Sequence, residues 1–219
     1  MRLVLVGPPG SGKGTQAEKL VRRLGLTPIG TGDILRRAIQ EGTPLGREVE
    51  PLLKQGLLVP DTIVNDLVAE LFRGPNPPTR FVTDGYPRTY AQAIAFDALL
   101  AQQFLRLDAA IDLAIPDEEV VRRISGRRCC SNVASCGVCY NVFSVPPKAP
   151  GVCDVCGSPL IQRDDDREET VRRRLLEFHK NTDALIEHYR TKGLLREIPA
   201  TDLPETIYAN ILRAVGKGE

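Results

Sequence analysis

The residues best able to do chemistry stand at the start of the chain, in GPPGSGKGT at positions 7–15. Glycines there let the backbone close round a ligand where side chains would intrude. The loop amides and the N-terminus of the helix that follows can then converge on phosphate oxygens. Lys13 adds a full positive charge that reaches the outer phosphates. The general pattern puts Ser or Thr directly after the Lys, whereas here Gly14 intervenes and the hydroxyl arrives one residue late, at Thr15. A bound nucleoside triphosphate is expected; what receives the phosphate is the open question.

Transfer of a γ-phosphoryl group needs positioning and charge neutralisation more than a covalent helper. Arginines stand where strand ends and insert boundaries would turn them towards a cleft. Arg36 follows Thr31-Gly32-Asp33, and Arg88 follows the strand ending at Asp84. Arg127 and Arg163 open and close a cysteine-bearing segment, and Arg174 comes early in the helix after it. Singly, each reads equally well as a solvated or ion-paired Arg, since Arg strongly outnumbers Lys. Together they mark the carboxyl ends of strands, where ligands bind in open α/β sheets. Asp84 suits a carboxylate that meets a magnesium ion through its bound water, with helix capping or pairing to an Arg as its plainer role. His179 and His188, on one long helix, read as structural.

All six cysteines lie between Cys129 and Cys156. In a reducing compartment such clustering favours metal over disulfides. Cys153-x-x-Cys156 has the shape of half a zinc knuckle, and on spacing alone Cys136-x-x-Cys139 is its natural partner. Four thiolates would close the coordination sphere and make the site structural, with zinc preferred over iron–sulfur. A nucleic-acid role for such a ribbon is disfavoured by its few Lys and sparse aromatic residues.

The elements that must hold these residues alternate. Apolar strands are expected at 2–6, 27–29, 81–83, 110–115 and 194–198, with amphipathic helices between them. That implies an α/β, three-layer fold on a central five-stranded parallel sheet. Residues 30–59, punctuated by Gly42, Pro44, Gly46, Pro51 and Gly56, read as a small helical insert of short helices. The expected division is a core of 1–29, 60–126 and 164–219, the helical insert 30–59, and a cysteine-bearing lid 127–163. The 219 residues suffice for a real core. With 29 basic and 28 acidic residues, no global field points to nucleic acid or an anionic membrane. No run is long and apolar enough for a membrane helix, and the N-terminus reads as a strand, so a cytoplasmic protein is expected.

The chain resembles the bacterial adenylate kinase family from end to end, in the variety with a zinc-binding lid. The matching segments are GPPGSGKGTQA, TGDILR at 31–36, GLLVPD at 56–61, DGYPRT at 84–89, Gln92, GRR at 126–128 and QRDDDREETVRRRL at 162–175. The resemblance implies transfer of phosphate from ATP to AMP with Mg2+, giving two ADP, in a monomer. It places ATP on Gly10, Ser11, Gly12, Lys13, Gly14 and Thr15, on Arg127, and on the lid positions Cys139 and Tyr140. It places AMP on Thr31, Arg36, the backbone of Leu57, Leu58 and Val59, then Gly85, Tyr86, Pro87, Arg88 and Gln92. In the family the residue at Gln92 reads adenine, those at Arg36 and Arg88 hold the AMP phosphate, and Arg127, Arg163 and Arg174 clamp the transferring group beside Lys13. Asp165 and Asp166 match an acidic pair at the lid hinge.

The resemblance also shifts the metal assignment to Cys130, Cys136, Cys153 and Cys156 for a structural Zn2+, with Cys139 as the leading substitute and a three-residue insertion between the first two. Closure of the two inserts over the nucleotides is implied as well, adenylate kinases being themselves a standard example of such gating. Two rival readings remain at this stage. One is a kinase for UMP/CMP or GMP, against which Thr31, Gln92 and the long lid speak. The other is a P-loop ATPase stimulated by nucleic acid, against which the near-zero net charge speaks.

Overall fold

The computed structural model describes residues 1–133 and 135–216. In chain order its elements begin with β1 (Arg2–Val6), α1 (Lys13–Leu24), β2 (Thr27–Gly30), α2 (Thr31–Gln40), α3 (Pro44–Gln55) and α4 (Asp61–Arg73). They continue with β3 (Phe81–Asp84), α5 (Tyr90–Gln102), β4 (Ala109–Ala114), α6 (Asp117–Ser125) and three short strands, β5 (Arg127–Cys130), β6 (Cys139–Asn141) and β7 (Leu160–Ile161). A 3-10 turn at Asp164–Asp166 leads into α7 (Glu168–Thr191), β8 (Leu195–Pro199) and α8 (Pro204–Ala214). Two compact units emerge: residues 1–34, 59–115 and from Glu177 onward, and residues 35–58 with 116–176.

The first unit is built on a five-stranded sheet of order β2-β3-β1-β4-β8, with every neighbouring pair parallel. The expected α/β sheet is therefore present. A parallel sheet is covered on both faces, which is why Leu3, Val4, Leu5 and Val6 are all buried. One face packs Leu5, Ile111 and Leu113 against Leu20 of α1 and Ile207 and Ile211 of α8. The rings of Phe72, Phe81 and Phe96 form a second cluster, 5.8–6.2 Å apart, joined by Tyr86 at 5.2 Å from Phe96. Such tilted and edge-on ring pairs each add about 0.5–1.5 kcal/mol beyond area burial. The register sets β1 between β3 and β4, pairing Leu5 with Asp84 and Val6 with Asp112, so two carboxylates flank the start of the glycine loop.

The second unit carries a three-stranded antiparallel sheet of order β6-β5-β7 together with α3 and α6. Here one expectation needs correction. Gly46 and Pro51 do not break the helical insert, because α3 runs through both. The break falls at Gly42-Thr43, where Thr43 caps α3 by accepting from the Gly46 amide at 3.0 Å. Gly46 serves close packing instead, since a Cβ there would lie 2.1 Å from the Ala38 carbonyl oxygen of α2. The long helix after the lid starts at Glu168, following the 3-10 turn. Leu71 and Leu176 are 38% and 71% exposed, and in α4 the buried side chains are Val64, Val68 and Phe72.

Candidate active site

In the first unit β1 delivers the chain into the glycine loop. Gly12, in the left-handed conformation at φ 96°, precedes α1 with no side chain capping the helix. The first amides of α1 are thus left to whatever sits at its N-terminus. Lys13 Nζ donates to the carbonyls of Gly7 at 2.7 Å and Pro8 at 2.8 Å, folded along the loop. Gly14 now has a reason: a Cβ there would stand 3.3 Å from Asp84 Oδ2. The late hydroxyl of Thr15 therefore comes with an acidic side chain lying close over the loop, the setting a magnesium-bound phosphate requires.

Beyond β3 the backbone turns through Gly85 and a cis Tyr86–Pro87 bond into α5. The Gly85 carbonyl accepts from Thr31 Oγ1 at 3.0 Å and from Arg88 Nε at 2.8 Å, tying together two residues expected at one ligand. Gln92 Oε1 accepts from the Arg88 amide at 2.7 Å, while Gln92 Nε2 donates to Asp61 Oδ1 at 2.7 Å. Asp61 Oδ2 accepts from Thr89 Oγ1 at 2.8 Å, and Thr89 in turn caps α5. Sequence reasoning quoted Asp61 within GLLVPD and gave it no role. Its signal was the Pro-Asp opening of α4, which reads as helix initiation alone. Asp112 was also missed: burial first, then neighbouring Glu197, holds its carboxyl above the usual range against the weaker pull of Lys13 and Arg190.

In the second unit four arginines and two carboxylates converge. Arg127 grips the buried Asp166 along one edge of its guanidinium, Nε to Oδ2 at 2.8 Å and Nη2 to Oδ1. Arg174 Nη1 donates to Asp165 Oδ2 at 2.8 Å and to its carbonyl at 3.1 Å. Burial, with Arg36 and Arg127 as like-charged neighbours, lowers the Arg163 pKa to about 10. Burial alone would raise the Asp165 carboxyl, but Arg174, Arg127, Arg36 and Arg163 hold it below the usual carboxylate range. Positive charge exceeds negative here, and a polyanion is the ligand that would restore the balance. Leu57 and Leu58, half-buried just past α3, lie in this unit, whereas the buried Val59 belongs to the first.

The cysteines divide into two sets. Cys130, Cys136, Cys153 and Cys156 bring their sulfurs within 4.8 Å of one another, with Cys130–Cys156 at 3.4 Å and Cys136–Cys153 at 3.7 Å. A tetrahedron of zinc–sulfur bonds has edges of about 3.8 Å, so the donor set fits zinc. Burial raises the Cys130 thiol to about 12, whereas Cys153, against the same burial, is drawn down to about 6 by the amides of Cys156 and Val155.

The other two cysteines correct an expectation. Cys129 and Cys139 form a disulfide, with Cα atoms 4.0 Å apart. They stand directly opposite one another on the antiparallel β5–β6 pair, and strand alternation turns them away from the side that Cys130 faces. Cys139 is therefore no substitute metal ligand; its sulfur lies 3.4 Å from Arg163 Nη2. The Tyr140 side chain points the other way, buried among Cys130 and Cys153, with its hydroxyl accepting from the Asp154 amide at 2.8 Å. Thiol titration of the unfolded, metal-stripped chain is expected to count four thiols before reduction and six after. Six before reduction would rule the bond out.

A family model described as adenylate kinase matches residues 5–194. The chain belongs to the adenylate kinase family. Proteins named adenylate kinase are similar along nearly its whole length. The one from Moorella thermoacetica is 46% identical over 217 residues, covering 99% of each chain. The one from Archaeoglobus fulgidus is 44% identical over 96% of each, and that from Acidothermus cellulolyticus 45% over 98% of each. Membership makes the chain a kinase of the phosphotransferase class. Among the described residues no helix is long and apolar enough to cross a membrane. His188, read as structural, bonds Asp97 at 2.7 Å through Nε2.

Proposed function

We propose that this chain transfers the γ-phosphoryl group of magnesium-ATP reversibly to AMP, giving two ADP, and so serves nucleotide homeostasis. The observation that carries this reading is one parallel sheet bearing two phosphate-directed sets. They are the glycine loop with Lys13, and the linked group Thr31, Gly85, Arg88 and Gln92. ATP phosphates bind the amides of Gly10 to Thr15, with Arg127 and the strand at Cys139 and Tyr140 on the lid side. AMP takes Thr31, Arg36, the backbone of Leu57 to Val59, Gly85 to Arg88, and Gln92. Lys13, Arg88, Arg127, Arg163 and Arg174 neutralise charge on the transferring group, which counts most once water is excluded. Asp84 meets Mg2+ through its bound water. The core, the insert 30–59 and the lid 127–163 act as separate bodies of a cytoplasmic monomer, without nucleic-acid or membrane partners.

An acceptor panel tests the reading: with ATP as donor, AMP is expected to exceed CMP, UMP and GMP in kcat/KM, and preference for any other acceptor would overturn it. Zinc held by Cys130, Cys136, Cys153 and Cys156 supplies a closed cross-link to a lid with little core of its own. One zinc per chain is expected. Chelation should lower the melting temperature while ADP formation at low temperature largely persists. Freshly purified protein without metal would refute the assignment.

A further inference from the structure

Gln92 offers a nucleobase an amide whose two ends differ, one oxygen and one NH2, and electron density alone seldom tells them apart. Here the surroundings decide. Asp61 is a carboxylate, which accepts and cannot donate, so the group facing it at 2.7 Å must be Nε2. The Arg88 backbone N–H donates and cannot accept, so the group facing it at 2.7 Å must be Oε1. Turning the amide over would set oxygen against carboxylate and NH2 against N–H, losing both bonds and adding repulsion in a residue that is 2% exposed. Asp61 is itself pinned, with Thr89 Oγ1 on its other oxygen at 2.8 Å.

We propose that Asp61 is a positioning residue that sets base specificity by locking the Gln92 amide in one orientation, an inference that rests on the AMP reading above. After these two bonds the amide keeps one N–H and one oxygen lone pair, in a fixed order. The adenine edge answers with the N1 acceptor and the N6 donor. The hypoxanthine and guanine edges present the reverse, O6 as acceptor and N1–H as donor. A free amide would flip to suit either pattern; a locked one rejects the second by leaving polar groups unpaired. Asp61→Asn keeps the shape but supplies an amide that can itself turn, so the carboxylate half of the lock is lost and the Arg88 N–H alone is left to hold Gln92.

The test is the ratio of kcat/KM for AMP to that for inosine 5′-monophosphate, with ATP as donor, in wild type and Asp61→Asn. The ratio is expected to fall by about 10- to 100-fold, through a gain on the inosine nucleotide as well as a loss on AMP, with KM for ATP unchanged. A purely structural role would lower both acceptors together and leave the ratio alone. A wild type that prefers AMP, with a variant ratio within threefold or so of it, sinks this inference and spares the proposed function. A wild type that does not accept AMP sinks both. Should the variant fail to fold, 15N NMR of the wild type decides: the Gln92 side-chain NH2 is expected to show one hydrogen protected from exchange, and rapid averaging of the two would overturn the lock.

Discussion

Arg88→Ala is expected to lower kcat for ADP formation by about 10²- to 10³-fold, the usual cost of removing one donor aimed at charge that develops in the transition state. The substitution is clean for structural reasons. The Arg88 side chain is exposed, and the backbone N–H that orients Gln92 is untouched by it. Its side-chain bond, Nε to the Gly85 carbonyl at 2.8 Å, is a surface contact worth about 1 kcal/mol. Melting should therefore shift by no more than a few degrees. The form of the loss is diagnostic. If Arg88 only held AMP in the ground state, KM would rise with kcat intact. If it also meets the transferring group, kcat falls and saturating AMP does not restore it. Turnover near the wild-type value would remove Arg88 from the site.

Much of this was legible in the chain because local rules and the global fold agree. The run Leu3 to Val6, the glycine loop and the amphipathic α1 each say the same thing at short range, and the parallel sheet follows from repeating that alternation. Legibility failed where the deciding contact is distant. Gly46 reads as a helix breaker until the Ala38 carbonyl lies where its side chain would be. Six clustered cysteines suggested metal, and four do gather. Which two drop out depends on the β5–β6 register, which sets Cys129 opposite Cys139, and adjacent cysteines give no clue to it. Asp61 opened a helix as many aspartates do; only the fold brings it to Gln92, which stands 31 positions away. Tyr140, matched to a nucleotide position by resemblance, turns its ring into the cysteine core because Cys139 takes the opposite face of the same strand.

Asp166→Ala is expected to destabilise the second unit by roughly 3 kcal/mol, because removing one partner of a buried ion pair strands the other charge. Asp166 is fully buried and its two carboxylate oxygens pair with one edge of the Arg127 guanidinium. Arg127 itself is 27% exposed, so water recovers part of the loss and the lower end of the usual range applies. What remains is worse than an isolated unpaired charge, since the same neighbourhood holds Arg36 and Arg163, with Asp165 set against them. The melting temperature of the 219-residue chain should drop by about 6–12 °C, and amide exchange in β5 should speed up while β1 and β4 stay protected.

Acid should reproduce the effect in the wild type. Asp165 is held below its unfolded pKa, so its contribution is complete above about pH 4 and disappears as the pH falls through its lower folded value. Asp166→Asn separates charge from shape, for it keeps a hydrogen-bond acceptor but cannot neutralise Arg127, and should fall between Ala and wild type. A melting temperature for Asp166→Ala within about two degrees of the wild type would show that Arg127 is adequately satisfied elsewhere. The carboxylate would then matter for aiming the arginine rather than for holding the unit together.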